Sequence, residues 1–160
     1  MADSEQHPPE VVIPKEKAVF WLDGEGYWRN AGGKFRKKKI IDYFHRAIAR
    51  DEGGYFVRQD KGGVMEKVYF PYEDTALFVF DLWFDNGSAG LLLNTGQQIP
   101  LDPDQLYVKD DNLYLDRGAD RVKFTVRAMM KLSECFEEGD DGRLWLRLAD
   151  GCWQIPEKPG

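Results

Sequence analysis

The sequence predicts an α+β protein built from two similar strand-strand-helix-strand-strand lobes, packed through a central antiparallel strand pair. Three observations predict it. Short aromatic-rich runs alternate with glycine-bearing turns, as in hairpins. Two stretches, near residues 36–51 and 126–138, carry apolar side chains at helical spacing. The run Ala76-Leu77-Phe78-Val79-Phe80 is apolar on both faces, the mark of a strand covered on both sides.

The elements follow in order. Residues 1–16 are polar and proline-bearing and read as a tail, with Val11 to Ile13 laid against the body. They hold no basic patch followed by an apolar core, so no secretory signal is expected. Phe20-Trp21-Leu22 and Tyr27-Trp28 flank Asp23-Gly24-Glu25-Gly26, a hairpin. A helix is expected over Arg36 to Asp51, with Ile40, Ile41, Phe44, Ala47 and Ile48 on one face. Gly53-Gly54 stops it, because glycine accepts the left-handed turn that ends a helix. Tyr55 to Arg58 and Val64 to Phe70 form a hairpin across Asp60 to Gly63. The central strand at Ala76 to Phe80 turns at Asp85 to Ser88 and returns along Leu91 to Leu93.

The second half has the same order. Leu106 to Val108 and Leu113 to Leu115 flank a turn. A helix over Val126 to Glu138 follows, with Thr125 as its N-cap. Leu144 to Arg147 and Cys152 to Ile155 close the chain. Leu22 aligns with Val108 at an offset of 86, Phe44 with Leu132 at 88, and Tyr55 with Leu144 at 89. The expected organisation is a polar, flexible tail over 1–16, an N-terminal lobe with the central hairpin over 17–99, and a C-terminal lobe over 100–160 that repeats the first. Two small cores gain by packing together.

The order of several short motifs resembles the bacterial domain of unknown function 1285 family, a branch of which carries a transporter-permease label. The resemblance covers about residues 20–155. It rests on Trp21-Leu22-Asp23 with Gly26-Tyr27-Trp28, on Tyr72-Glu73-Asp74-Thr75-Ala76-Leu77-Phe78, on Leu93-Asn94-Thr95-Gly96, on Leu106-Tyr107-Val108 and on Asp141-Gly142-Arg143-Leu144. It implies an α+β fold of two similar lobes and a role in ligand sensing or signal transduction. It carries no catalytic residue across. A permease would need an apolar span of about 20 residues, which this chain lacks.

Composition excludes several functions. The 28 acids outnumber the 22 bases, giving a formal charge of -6, and phosphate backbones repel such a chain. No nucleic-acid partner and no membrane insertion are expected, and the charge suits the cytoplasm. Two cysteines do not make a disulfide framework, and Cys135 and Cys152 read as small buried hydrophobes. Gly24-Glu25-Gly26 lacks the third glycine of a dinucleotide fingerprint, since Arg29 stands there, and it joins two strands. With only His7 and His45, no zinc site is expected, and no cofactor motif is present. His45 reads as a surface or boundary histidine.

Two groups of residues remain as candidate sites. Lys34-Phe35-Arg36-Lys37-Lys38-Lys39 puts five cations in six residues at a helix start. Cations there oppose the helix dipole, and a bound anion would offset that repulsion, so Lys37, Lys38 and Lys39 are the anion-binding candidates. Glu73, Asp74, Asn94 and Thr95 fall at the open end of the central hairpin and are the ligand-binding candidates. The functional expectation is a non-enzymatic module that binds a small molecule or a protein, with a signalling role, as a monomer or weak homodimer. The alternatives are a carboxylate-dependent enzyme using Glu73 and Asp74, and a homo-oligomer that pairs through exposed rings such as Trp83 and Phe84.

Overall fold

Three-stranded meanders on either side of a short helix recur twice in the computed structural model, which describes residues 9–159. The fold is α+β. Two compact units divide the chain, Met1–Ala76 and Leu77–Gly160. The division thus falls earlier in the chain than the boundary near residue 100 that composition suggests. Strand pairing accounts for the difference: the central strand pairs with Val122–Phe124, which come after residue 100, so it belongs with them.

In the first unit, β1 (Glu10–Ile13) lies parallel to β7 (Val64–Tyr69), which places Val11 to Ile13 on the body as expected. Residues 1–8 of the expected tail, with His7, lie outside the described residues. The strands β2 (Phe20–Leu22), β3 (Trp28–Asn30) and β4 (Gly33–Lys34) form an antiparallel sheet in that order. Asp23 closes the first turn: its buried carboxylate accepts the N–H groups of Glu25 and Tyr27, both at 2.9 Å, and Arg29 Nε at 2.6 Å. Burial disfavours this charge, but Arg29 and the two N–H donors outweigh it and hold the carboxyl below its ordinary range. The glycine-rich stretch is therefore a hairpin turn.

Helix α1 spans Lys38–Ala47, shorter than the expected Arg36 to Asp51. Its last expected residues form β5 (Ala49–Asp51), which pairs with β6 (Gly54–Lys61). Asp51 makes the hairpin more favourable than another helical turn. Its carboxylate accepts Gly53 N–H at 2.9 Å and Tyr69 Oη–H at 2.9 Å, and it pairs with Lys67. The Tyr69 ring crosses Gly53 so closely that a Cβ there would sit 2.7 Å from it. β6 pairs with β7, and the core between these elements is aromatic. The Trp28 indole meets Phe70 at 4.9 Å, Phe44 at 5.3 Å and Phe20 at 5.9 Å, mostly edge to face.

The second unit is built on a six-stranded sheet. Its strands are β8 (Leu77–Asp85), β9 (Ser88–Leu93), β10 (Gln98–Pro100), β11 (Leu106–Lys109), β12 (Asn112–Arg117) and β13 (Asp120–Phe124). Their order is β10-β9-β8-β13-β12-β11, so the doubly apolar run is an interior strand, as its composition required. Phe78 and Val79 are wholly buried. Asn86 and Gly87 turn the β8–β9 hairpin at positive φ, as do Asp110 and Asp111 between β11 and β12.

Thr125 caps helix α2 (Val126–Leu132), its Oγ1 accepting Ala128 N–H at 3.2 Å. Ala128 and Leu132 enter the core that the sheet shares with β15 (Leu144–Leu148) and β16 (Gly151–Ile155). The helix was expected to reach Glu138. Instead Ser133–Cys135 forms a 3-10 turn, and β14 (Phe136–Glu138) joins β15, with Arg147 gripping Glu137 through two hydrogen bonds of 2.8 and 3.1 Å. Both cysteines are free. Cys135 is half-buried, and burial pushes its thiol pKa up, whereas Cys152 is exposed on β16, contrary to the expected burial of both. Leu146 takes the buried place on β15 opposite Trp153, so the exposed positions of the hairpin fall to Arg147 and Cys152.

Each unit closes in the same way. In the first, Leu22 forms a parallel bridge with Tyr72, Leu22 N–H donating to Pro71 O and Glu73 N–H to Leu22 O. In the second, Val108 bridges Glu157, Val108 N–H donating to Pro156 O and Lys158 N–H to Val108 O.

Candidate anion-binding groove

The first unit carries a groove of about 830 Å³ where β4 passes into α1. Its cations are Lys34, Arg36, Lys37 and Lys39. Its apolar wall is Phe35, Ile40, Tyr43 and Phe44. Gln59 and Asp60 of β6 complete the lining together with Asn30. The local sequence explains the mixture. Ile40, Tyr43 and Phe44 recur at three- and four-residue spacing, so they share a helix face, and only Phe44 sinks fully into the core. Ile40 is 44% exposed and Tyr43 51% exposed. Of the helix face expected to be core, Ile40 and Phe44 line the groove, and Tyr43, outside that face, joins them.

Hydrogen bonds fix the walls. Tyr43 Oη–H donates to Arg58 O at 2.9 Å, which ties the ring to β6. Lys34 Nζ lies 4.1 Å from the centre of the Tyr27 ring. Lys37 is the N-cap of the helix, its side chain makes no capping hydrogen bond, and the first turn contains no acid. The rim cations therefore add to the positive end of the helix rather than cancel it.

Of the three lysines expected to bind an anion, the structure brings Lys37 and Lys39 to the groove. Lys38 points elsewhere and pairs with Asp42 at 2.6 Å, which holds that carboxyl below its ordinary range. Lys34 and Arg36 belong to the same basic run and complete the rim. The aromatic wall was not legible as a site, because its spacing is that of an ordinary core face.

The other expected group divides between the units. Glu73 Oε1 accepts Gly24 N–H at 3.1 Å and so fastens the first hairpin turn. Asp74 beside it is half-buried. In the second unit, Asn94 is buried; its Oδ1 accepts Phe78 N–H at 3.0 Å while its own N–H donates to Phe78 O at 2.9 Å. Thr95 Oγ1 accepts Gln97 N–H at 3.4 Å in the following turn. Glu73, Asn94 and Thr95 hold backbone in place.

His45 departs from expectation. It is 3% exposed, its ring 5.7 Å from that of Trp28 and hydrogen-bonded to the backbone of Gly26. Burial pushes its pKa down to about 4, against the opposing pull of Asp42. Among the described residues, no group of three or more His, Cys, Asp or Glu is placed to hold a metal ion. None of the described helices is long and apolar enough to cross a membrane.

Comparison with solved structures bears on the architecture. A crystal structure of a DUF1285 family protein from Silicibacter pomeroyi DSS-3 matches 95% of this chain and 85% of its own, with a TM-score of 0.60 at 14% identity. This chain has a DUF1285-like fold. A second DUF1285 family protein, from Shewanella baltica OS155, matches 75% of this chain and 94% of its own, with a TM-score of 0.52 at 18% identity. At these identities the DUF1285-like likeness concerns the fold alone. No family model matches the sequence, and no curated protein matches it.

Proposed function

We propose that this chain is a non-enzymatic binding module whose ligand lies in the groove of the first unit. The observation that carries this reading is the meeting of four cations, Lys34, Arg36, Lys37 and Lys39, with the apolar wall of Phe35, Ile40, Tyr43 and Phe44. Such a surface selects a ligand with an anionic group and an apolar body, the two halves recognised by different physics. The volume is that of ordinary ligand sites, which run from about 300 to 1,000 Å³. Glu73, Asn94 and Thr95 serve the hairpins, which favours the groove over them as the ligand's location. A role in signalling follows if occupancy changes what the module associates with.

An anionic aromatic dye, anilinonaphthalene sulfonate, tests the reading. The full chain should enhance its fluorescence, and Lys37→Glu with Lys39→Glu should weaken its binding at least about tenfold. Equal binding by the double variant removes the groove reading.

The reading of two related copies is supported by the shared order of meander, helix and meander, and by the matching closures at Leu22 and Val108. A second functional reading, self-association, is favoured by one feature. Trp83 and Phe84, at the far end of β8, are 40% and 51% exposed. Light scattering that reports only monomer at high concentration removes it.

A further inference from the structure

The groove lies along a sheet edge, and the same position in the other unit is filled. β4 is the outer strand of its three-stranded sheet. Its counterpart by element order is β13, the last strand before the helix of the second unit. The outer side of β13 pairs in parallel with β8, Val122 to Phe124 facing Leu77 to Val79. Among the described residues, no strand of the first unit takes the place beside β4 that β8 takes beside β13.

The edge is short, Gly33–Lys34, and turns one peptide outward. Lys34 sits opposite Arg29, and Phe35 N–H donates to Trp28 O at 2.9 Å. That bond makes the Lys34–Arg29 position the non-hydrogen-bonded one, so the peptide N–H and C=O of Lys34 turn outward. The chain stays extended at Lys37, with φ −83° and ψ 116°. Beside this edge stand the four rim cations and the aromatic wall. Charge selects the occupant. A segment bearing carboxylates complements the rim, and its alternate apolar side chains meet Phe35, Ile40 and Tyr43. The concave shape favours an inserted chain over a flat membrane surface.

Resting on the groove reading above, we propose that β4 accepts an extended acidic segment of a partner polypeptide as an added strand, its carboxylates on Lys37 and Lys39 and its apolar side chains in the groove.

The test uses the full chain and a fluorescent short peptide in which glutamate alternates with leucine and phenylalanine. Fluorescence polarisation should report binding, weakened at least about tenfold by Lys37→Glu with Lys39→Glu. Replacing the peptide's glutamates with lysine should abolish binding. Methylating alternate backbone nitrogens of the peptide removes the donors of an added strand without changing its charge, and should weaken binding about tenfold. The Lys34 amide resonance should move on addition of the parent peptide. Equal binding of the methylated peptide overturns strand addition, and equal binding of the lysine peptide overturns charge selection. Binding of phosphatidylglycerol vesicles without binding of the peptide assigns the surface to membranes and overturns the proposal. If the dye binds and the peptide does not, strand addition falls while the groove reading stands; if the dye does not bind, the groove reading itself falls. Circular dichroism of the double variant, whose two lysines are both exposed, should match the parent and so attribute any loss to the groove.

Discussion

His45 is neutral in the folded protein and free to protonate in the unfolded one. Its pKa falls from 6.5 to about 4 on folding, so between those values the unfolded chain binds the extra proton. Its contribution to stability is therefore whole above pH 6.5 and is lost as the pH falls toward 4, by at most about 3 kcal/mol. Urea midpoints at pH 7 and pH 4.5 measure it. His45→Gln should lose part of this pH dependence relative to the parent, and an unchanged profile would show that other groups cause it. Asn94 makes a second residue-scale case. Asn94→Leu keeps the volume roughly but leaves Phe78 N–H without its partner inside the sheet, which should cost about 1–3 kcal/mol in urea unfolding.

At the scale of elements, α1 trades stability for charge. A lysine at the N-cap and no acid in the first turn are both unfavourable choices for a helix start. Lys37→Asp should therefore stabilise the fold by about 1 kcal/mol while weakening ligand binding. Thermal unfolding and dye titration of the one variant check both halves. Thr125→Ala, at the well-capped α2, should do the reverse for stability, costing about 1 kcal/mol.

The elements also show where the sequence could be read. The interior strand was legible because Phe78 and Val79, neighbours on opposite faces, are both apolar. The N-cap at Thr125 was legible from its side chain. The helix ends were not. Ile48 continues the apolar face of α1, and Phe136 that of α2, so periodicity carries both helices too far. What ends them is pairing with β6 and β15, strands that come later in the chain. Three-residue strands such as β5 and β14 are too short to show a period of their own. The site followed the same rule. Its lysines could be read from one basic run, but its concavity depends on Gln59 and Asp60, some twenty residues further along the chain.

Over the whole molecule the charge is unevenly divided. Residues 1–76 hold 13 bases and 13 acids, and residues 77–160 hold 9 bases and 15 acids, so the formal -6 resides in the second unit. The first unit is balanced in sum yet concentrates five cations between Lys34 and Lys39. Attraction of an anionic ligand to so exposed a patch is screened by salt. Dye affinity should fall severalfold between about 0.01 M and 0.15 M ionic strength, as the Debye length shrinks from about 30 to 8 Å. A salt-independent affinity would mean that apolar contact alone holds the dye.

The paired bridges make a ring of each unit. Leu22 meets Tyr72 after 50 residues, and Val108 meets Glu157 after 49. Because Leu22 both donates to Pro71 and accepts from Glu73, its strand cannot peel away unless the far end of the ring lets go with it. Fraying is thereby coupled between places distant in the chain. The amides of Leu22 and Glu73 should exchange with deuterium at one shared opening rate, and those of Val108 and Lys158 at another. Shortening the chain after Ile155 would unclasp β11, a strand that ends more than forty residues before the cut.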